Sequence, residues 1–416
     1  MPHYDLLARP QERQRDWHAR AWRVRVTRIA LPALALALLA TLVLWNQGKT
    51  PYSPPPVAEV LPADKAWDNT LFDPRYESRD AKGRPYVVTA DRALQDAGKD
   101  APVLLEAPQA RLTLPDGREV TAAASLGRYD ASSETLDLLQ GVTLYLDDHA
   151  LQTSVLTLDL VTQAAHGAEP VDVAGPTLTL TATGLDGVLG TEVLTFAGPG
   201  RLLLTPKDGA HVVVTAKDSI SWNRKEQRFV ATGDATAAQD KARVAANVLE
   251  ALYESKQGKG LVLMALEARG LVVATFGDAQ AQGAAGHYNV RSGRARMSGP
   301  GLRAIFPEGQ TLTARDAFAY DTQRGVFVAE GQARLTHTAD SWVTAPRMTA
   351  HLAPDAGGKM AIRTLEAEGG VVAVQGGARV TGPRARVDPV TGTATILGGR
   401  TRAVLYPEEE ALTPPR

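Results

Sequence analysis

Alternation of apolar and polar residues with a period of two runs through the chain from residue 65 onward, and it limits the fold more than any other feature. Leu156–Leu160 (LTLDL) is the clearest case, and Thr177–Thr181 and Glu192–Phe196 are similar. A period of two is that of a β-strand with one buried face. Thr and Val are frequent in these runs, and Gly, Asp and Asn separate them, as is typical of strands and turns. Lys241–Tyr253 has some helical character, but its Val and Asn content and its place in the repeat predict a strand.

A short sequence recurs within this body: a β-branched residue or Leu, then Thr, then Ala or Gly. It begins at Val88, Val120, Leu180, Val214, Leu312, Val343 and Val380. A bulky residue with Asp or Asn follows in several copies, and a Gly comes later; Trp222-Asn223 precedes Gly233, and Tyr320-Asp321 precedes Gly331 at an offset of 98 residues. This order predicts hairpin rungs in which the Gly supplies positive φ at a bend. Self-similarity at a fixed spacing indicates stacked units that bury their apolar faces against one another.

The apolar run Ile29–Trp45 is the second constraint, because its 17 residues include no charged side chain. At about 1.5 Å per residue it is long enough, at the short end, to span a bilayer as a helix. Seven arginines precede it against three acidic residues, which predicts a cytoplasmic N-terminus and an exported C-terminal body. A cleaved signal peptide is the alternative, although its n-region would be unusually long and no small-residue cleavage site follows. Five prolines in residues 46–64 predict an extended linker.

Composition excludes several classes of protein. The 416 residues include no Cys, so disulfide frameworks, thiolate nucleophiles and cysteine-based metal sites are ruled out. A net charge of −1 argues against a nucleic-acid binder that depends on counterion release. The eight histidines are scattered, and no HExxH or GxSxG motif occurs. Asp147-Asp148 is interpreted as a solvated turn. We therefore predict no catalytic residue, no cofactor, no metal site and no enzyme activity.

Two interpretations of the interior remain open at this point. Aromatic residues are few, about 6% of the chain, so inward positions carry mostly Leu, Val and Ala. The interior is either an ordinary thin core of small residues or an apolar groove that is not filled by its own side chains. A stack of rungs also has unpaired edge strands at both ends, which proteins protect or use to bind partners.

Residues 71–90 (LFDPRYESRDAKGRPYVVTA) resemble the opening of the periplasmic body of the LptC family of lipopolysaccharide export proteins. The likeness lies in Pro74-Arg75-Tyr76, Asp80 and Gly83–Tyr86, and it continues less specifically through Tyr129-Asp130 and Leu139–Val142. From about residue 211 to 406 the chain resembles the LptA/OstA-type domain. The residues that carry this second likeness are Thr215–Asp218, Gly233–Ala235, Leu266–Gly270 and Tyr288-Asn289 with Gly299. The chain is about twice as long as a typical LptC.

The resemblance implies an elongated antiparallel β-jelly-roll, a folded open sheet, behind one N-terminal transmembrane helix. The expected organisation is a cytoplasmic Arg-rich segment at 1–28, a transmembrane helix at 29–45, a Pro-rich linker at 46–64, an LptC-like jelly roll at 65–207, LptA/OstA-like units at 208–306 and 307–406, and a tail at 407–416.

The resemblance also implies a function: an inner-membrane protein that passes lipid A acyl chains along a hydrophobic groove. Alternation alone selects the groove residues, which are Leu136, Leu138, Leu156, Leu158, Leu160, Leu178, Leu180, Leu194, Phe196, Phe229 and Phe327. The expected partners are lipopolysaccharide, the inner-membrane ABC transporter complex of its export, and a downstream periplasmic or outer-membrane transport protein that binds by β-strand addition. The candidate edges for that pairing are Phe72 and Tyr76 at one end and Val404, Leu405 and Tyr406 at the other. The alternatives are a β rod that organises the envelope without cargo and, less favoured, an enzyme acting on polysaccharide.

Overall fold

The alternation seen in the sequence becomes a succession of antiparallel strands in the computed structural model. The structure describes residues 67, 69–95, 101–205, 210–256, 260–307, 309–354, 360–376, 378–388, 393–399 and 402–405. All of them belong to one compact unit, Lys65–Arg416. The predicted segments at 1–28, 29–45 and 46–64 lie outside the described residues.

The described residues form 32 strands and a short 3₁₀ helix at Leu189–Thr191. The first sixteen strands are β1 Asn69–Phe72, β2 Arg75–Arg79, β3 Pro85–Thr89, β4 Arg92–Gln95, β5 Val103–Glu106, β6 Gln109–Thr113, β7 Glu119–Ala123, β8 Leu126–Asp130, β9 Thr135–Leu146, β10 His149–Asp159, β11 Ala164–Gly167, β12 Val171–Ala174, β13 Leu178–Ala182, β14 Gly184–Val188, β15 Val193–Ala197 and β16 Gly200–Leu204.

The second sixteen strands include the longest ones. They are β17 Val212–Ala216, β18 Ser219–Asn223, β19 Arg228–Gln239, β20 Ala242–Lys256, β21 Gly260–Phe276, β22 Ala279–Asn289, β23 Arg294–Ser298, β24 Arg303–Ile305, β25 Thr311–Thr313, β26 Ala317–Asp321, β27 Val326–Thr338, β28 Ser341–Pro354, β29 Met360–Gln375, β30 Ala378–Val387, β31 Ala394–Leu397 and β32 Arg402–Leu405. The predicted strand at Lys241–Tyr253 is confirmed as β20.

The pairing divides these strands between two layers that share a bent edge. In the first sheet, β1 pairs with β4, β5 with β8, β15 with β18 and β23 with β26. In the second sheet, β2 pairs with β3, β13 with β16, β16 with β17 and β24 with β25. Long strands such as β9 belong to both sheets. In β9, Thr135–Leu139 pairs with β10 in the first sheet, and Val142–Leu146 pairs with β10 in the second sheet. The body is thus one sheet folded along its length, with apolar side chains from both layers in one core.

Five long strands bend at two consecutive residues with positive φ. These pairs are Gln140-Gly141, Gly233-Asp234, Gly270-Leu271, Gly331-Gln332 and Gly369-Gly370. The predicted closing glycines Gly233 and Gly331 have φ of +83° and +82°. A Cβ at Gly233 would meet the carboxylate of Asp218, and one at Gly331 would meet that of Asp316, so both bends require glycine.

The predicted Asx turns close the hairpins at the side opposite the bend, which we call the rims. The Asn223 side chain accepts a hydrogen bond from the Glu226 backbone N–H, and Asp321 accepts from Gln323 and Arg324. Such side-chain bonds stabilise tight turns between strands. Each rung therefore runs from a rim turn through one sheet, around the bend and out along the other sheet.

The repeat predicted at an offset of 98 residues appears as two successions of eight strands. β17–β24 and β25–β32 have the same order of short, long and bent strands. The backbone hydrogen bonds next to the bend repeat as well. The Asp218 N–H donates to the Thr232 carbonyl, and the Asp316 N–H donates to the Glu330 carbonyl. Both ladders continue through the expected boundaries at 207 and 307. The second sheet continues because β16 pairs with β17 and β24 with β25, and the first because β15 pairs with β18 and β23 with β26. The assignment of separate units at 65–207, 208–306 and 307–406 stays a prediction.

The all-β class and the antiparallel pairing predicted from the sequence are confirmed. Within the part of the chain that the structure describes, no helix has the length and apolar character needed to cross a membrane. The predicted helix at 29–45 falls outside that part.

Candidate functional site

Ten of the eleven residues predicted to line the groove lie in a tightly closed interior. Leu136, Leu138, Leu156, Leu158, Leu160, Leu178, Leu180, Leu194, Phe196 and Phe229 are all buried, each at most 5% exposed. Phe327 is half-buried. These side chains point into the space between the two sheets, as the predicted alternation requires. Lipid binding at these positions stays a prediction.

The interior changes its composition along the body. Among the buried hydrophobic residues that the structure describes between 86 and 202, 18 are Leu and 6 are Ala. Between 216 and 387 the proportions reverse, with 5 Leu and 14 Ala. We call these stretches the leucine-filled region and the alanine-lined region. The smaller side chains of the second leave more space between two sheets that are otherwise built alike.

A cavity of about 500 Å³ lies in the alanine-lined region. The first sheet contributes Leu266, Met297 and Phe318 to its wall, and the second contributes Val272, Ala281 and Ala304. No carboxylate is among the lining residues, and the polar ones, such as Gln280, His287 and Arg296, are few. A cavity of this size and character lies within the range of sites that take up apolar ligands.

Aromatic rings stand at the rim side of the cavity. Phe327 lies 5.2 Å from Phe318, 6.1 Å from Phe306 and 6.4 Å from Tyr320, measured between ring centroids. Phe306 belongs to the second sheet's rim and Phe327 to the first sheet, so this contact crosses the space between the layers. Burial, followed by the charge of Asp321, raises the pKa of Tyr320 above its usual value, so its phenol stays neutral.

A second aromatic cluster separates the two regions. The rings of Trp222 and Phe229 stack at 5.4 Å, and Tyr253 lies 5.1 Å from Phe229. Trp222 Nε1 donates a hydrogen bond of 2.8 Å to the Tyr253 hydroxyl. His149, from the opposite rim, meets Trp222 edge-on at 5.1 Å. Burial lowers the pKa of His149 and outweighs the nearby carboxylate of Asp148. The cluster fills the interior where the leucine-filled region ends.

Four charged residues join the two rims beside this cluster, and we call them the clasp. Arg118 and Asp147 are on the second sheet's rim, and Glu192 and Arg224 are on the first. Arg224 lies 2.6 Å from Asp147, and Arg118 lies 2.7 Å from Glu192. Arg118 also contacts Asp147 at 2.5 Å. Asp147 lies in an exposed turn, as expected, and its side chain also binds two arginines across the partly buried rims.

Ionisation of the clasp follows from this geometry. Burial alone raises the pKa of Asp147, but the hydrogen bond from Arg224 and the charges of both arginines bring it below its usual value. The carboxylate of Glu192 holds the pKa of Arg118 above its usual value. Both shifts favour the charged forms of Asp147 and Arg118, and the clasp keeps the rims together.

Further contacts close the rims of the leucine-filled region. Ala81 N–H donates to Val161 O at 3.0 Å, and Gln163 Nε2 donates to Thr113 O at 3.0 Å. The Tyr86 hydroxyl donates to Glu134 at 2.6 Å. Each pair joins the second sheet to a turn of the first. This half of the body is a closed sandwich.

Asp80, Gly83 and Arg84, which are among the residues that carried the sequence resemblance, form one turn between β2 and β3. The Asp80 carboxylate accepts hydrogen bonds from the backbone of Lys82 and Arg84, and the Arg84 side chain lies 2.6 Å from it. Burial raises the pKa of Asp80, but the bonds from Arg84 outweigh it, and the pKa lies below its usual value. Gly83 has a φ of +77°, which the turn requires. The contacts of Asp80 and Arg84 stabilise this turn.

The candidate partner edges are at the ends of the ladders. Phe72 is 74% exposed in β1, and Tyr76 is 40% exposed in β2. Val404 and Leu405 belong to β32, and Tyr406 lies outside the described residues. Among described residues, β1 pairs with β4 alone, and β32 pairs with β30 alone. Partner binding at these edges stays a prediction.

The arrangement offers shape and apolar surface in place of reactive groups. In the described stretches, no group of three or more His, Asp or Glu side chains is placed to hold a metal ion. What the cavity can do chemically is exclude water from an apolar ligand.

Residues 32–199 match a family model. The family is described as lipopolysaccharide-assembly, LptC-related. The match supports an LptC-type protein of lipopolysaccharide assembly over this part of the chain. No match is found among the curated proteins. The matched residues include the leucine-filled region up to Pro199, whereas the cavity is lined by residues 244–352.

Sequence reasoning missed most of the cavity wall. Of the predicted groove residues, Phe327 lines it. Other residues that line it, such as Ala281 and Ala304, are not among the predicted groove residues. The feature that could have indicated the cavity is the change from Leu to Ala at inward positions after residue 216.

Proposed function

We propose that this chain is a periplasmic component of lipopolysaccharide export that holds lipid A acyl chains in the cavity of its alanine-lined region. One observation carries the proposal: an apolar cavity between two sheets, free of carboxylates, in a body whose N-terminal part matches the lipopolysaccharide-assembly family. Each buried methylene contributes about 0.8 kcal/mol, so an apolar wall holds an acyl chain without polar partners.

The leucine-filled region plays a different part in this proposal. Its interior is occupied by its own side chains, and the clasp holds its rims together. Acyl chains therefore occupy the later rungs, and the earlier rungs form a rigid stem. The groove proposed from the sequence at Leu136–Phe196 requires this stem to open.

Anchoring and partners belong to the same proposal. The apolar run 29–45 spans the inner membrane with the N-terminus in the cytoplasm, and the body lies in the periplasm. The ABC transporter complex of the inner membrane delivers the lipid. A downstream transport protein adds a strand at the last rung, β31 and β32, whose described residues pair with β30 alone.

A second candidate function is a scaffold without cargo. The closed, leucine-filled core and the clasp favour it for the first half of the body, since leucine side chains occupy the interior there. The cavity distinguishes the two functions, because a scaffold has no use for an unfilled apolar space.

Photo-crosslinking in cells tests the proposal. The photoreactive residue p-benzoylphenylalanine replaces Phe327 and Tyr320 in the cavity, and Tyr145, which is 52% exposed on the outer face, as the matched control. We expect lipopolysaccharide adducts from the two cavity positions and none from Tyr145. A third variant at Phe196 reports on the leucine-filled region. Adducts from Phe196 but not from Phe327 would place the lipid path in the stem, and no adducts from any interior position would favour the scaffold.

A further inference from the structure

The outer faces of the two sheets differ in charge along the same rungs. From β13 to β32, the strand segments of the second sheet contain no Asp or Glu but six arginines: Arg201, Arg243, Arg303, Arg334, Arg379 and Arg402. The first sheet carries both signs over the same length. Its segments contain Glu250, Glu267, Glu330, Glu366 and Glu368 beside its arginines. The two outer faces therefore present different electrostatic surfaces.

From β13 onward, most arginines of the first sheet form ion pairs with described residues, and the six of the second sheet do not. Across the first sheet, Arg269 lies 2.7 Å from Glu250, Arg347 lies 3.7 Å from Glu330, and Arg386 lies 3.2 Å from Glu366. In the second sheet the six arginines are exposed, and none has an ion pair with any residue that the structure describes. Carboxylates of the later rungs lie elsewhere: Asp340 is in the turn between β27 and β28, and Asp316 pairs with Arg315 at the bend.

The strand register places three of these arginines in one row. Arg303 stands opposite Thr313, Thr313 opposite Arg334, and Arg334 opposite Thr344. The row continues with Thr344 opposite Val372 and Val372 opposite Thr381. It ends with Thr381 opposite Arg402. With strands about 4.8 Å apart, Arg303 and Arg334 are roughly 10 Å apart, and Arg402 is about 19 Å further along. The arginines are spread over a surface and do not converge on one small anion.

Trp342 stands in the middle of this surface. It is half-buried in β28, and the Arg334 guanidinium lies 4.3 Å from its ring centroid. Trp342 stands opposite Val374, and Val374 stands opposite Arg379. Trp342 and Arg379 therefore share a row that runs beside the row of Arg303, Arg334 and Arg402. An indole among arginines is typical of protein surfaces at the boundary between water and lipid headgroups.

We propose that the outer face of the second sheet around Trp342, with Arg303, Arg334, Arg379 and Arg402, docks on a membrane surface that carries anionic phosphodiester headgroups. Charge complementarity selects this partner, since a bilayer offers many phosphates over an area, as the spread arginines require. Trp342 lies between Arg303 and Arg334 on one side and Arg379 and Arg402 on the other, so a surface that contacts the indole also faces these arginines. This inference does not depend on the cavity or on its ligand.

The test measures how the full-length chain, held in phosphatidylcholine nanodiscs, is captured by separate vesicles. Vesicles of phosphatidylcholine with 30% phosphatidylglycerol sediment with the bound protein, and pure phosphatidylcholine vesicles serve as the neutral arm. The triple variant Arg303→Gln, Arg334→Gln, Arg379→Gln removes three charges from the second sheet. The matched control Arg269→Gln, Arg347→Gln, Arg386→Gln removes three charges from the first.

We expect the unchanged chain to bind the anionic vesicles and not the neutral ones, with an affinity that falls as salt rises. Each arginine near an anionic surface contributes roughly a fivefold gain, so the second-sheet triple variant loses about 100-fold. The first-sheet variant changes less than threefold. Brominated anionic lipid quenches Trp342 fluorescence, and the part of the quenching that is lost in Trp342→Phe reports the contact itself.

Three results would overturn the proposal. Equal losses in the two triple variants would mean that only net charge matters. Binding to a soluble phosphorylated saccharide without binding to anionic vesicles would assign the face to a different ligand. The absence of salt-dependent vesicle binding by the unchanged chain would leave the arginines as solubilising charges, and this last result needs no variant.

Discussion

The leucine-filled and alanine-lined regions share one architecture and differ in what fills it. Both are rungs that bend around one edge, with Asx turns at the rims and positive φ at the bend. In the first region leucines meet across the layers, and the clasp joins the rims. In the second, alanines occupy the corresponding inward positions, and a cavity of about 500 Å³ remains. The backbone topology thus sets the space between the two sheets, and the size of the inward side chains decides whether that space is filled.

The largest expected difference between the regions concerns Phe196 and Phe327. Phe196→Ala leaves a hole in a packed core with no exposed surface and should cost about 3–5 kcal/mol in unfolding free energy. Phe327 is half-buried beside space that is already empty, so Phe327→Ala loses part of a burial term and should cost about 1–2 kcal/mol. Urea unfolding with unchanged m-values measures both. Equal costs would show that the two interiors are packed alike.

The clasp gives the next largest effect. Arg224→Ala leaves Asp147 and Glu192 without this partner on a partly buried rim and should cost about 2 kcal/mol. Arg228→Ala is the control four residues away, because this arginine pairs with Glu226 and Glu250 at a more exposed site and should cost less than about 1 kcal/mol. If both variants lose the same small amount, the clasp does not hold the rims.

Added volume should act in opposite directions in the two regions. Ala122→Leu forces a larger side chain into a site with no exposure and should destabilise the fold by about 1–3 kcal/mol. Ala281→Leu projects into the cavity and should leave stability within about 0.5 kcal/mol. Its effect should instead appear as weaker binding of a dodecyl-chain ligand, measured by calorimetry. Destabilisation by Ala281→Leu comparable to that by Ala122→Leu would contradict the presence of usable space.

The smallest effect is the pH dependence of the clasp. Because the folded-state pKa of Asp147 lies below its usual value, its contribution to stability is present above about pH 4 and is lost as the pH falls through the folded value. The unfolding free energies of the unchanged chain and of Asp147→Asn should therefore converge progressively as the pH is lowered below about 4, from a difference below about 1 kcal/mol at pH 6. A constant difference between the two would mean that Asp147 does not carry this dependence.

How much of this could be read from the sequence depends on the range of the interactions. Strands, turns and bends are local: alternation gave β10 and β13, and the spacing from Asn223 to Gly233 placed a turn and a bend correctly. The inward direction of Leu136 to Phe196 follows from the same alternation. These features need only a few neighbouring residues and the physics of the backbone.

The cavity and the clasp could not be read in the same way. Alternation says which side chains face inward but not whether those of the opposite sheet reach them, so Ala281 and Ala304 were passed over. The clasp joins Arg118 to Glu192 and Asp147 to Arg224, pairs that are far apart in the chain and meet only because the sheet folds. Taken alone, Asp147 has the sequence context of a solvated turn.

The most direct test of the difference between the regions uses single cysteines, since the chain contains none of its own. Ala281→Cys places a thiol in the cavity, and Ala122→Cys places one in the leucine-filled core. The rate of reaction with an apolar maleimide is measured with and without lipid A. We expect the thiol at 281 to react and to be protected by lipid A, and the thiol at 122 to stay unreactive in both conditions. Reaction and protection at 122, or a thiol at 281 that lipid A does not protect, would contradict the assignment of the lipid site to the alanine-lined region.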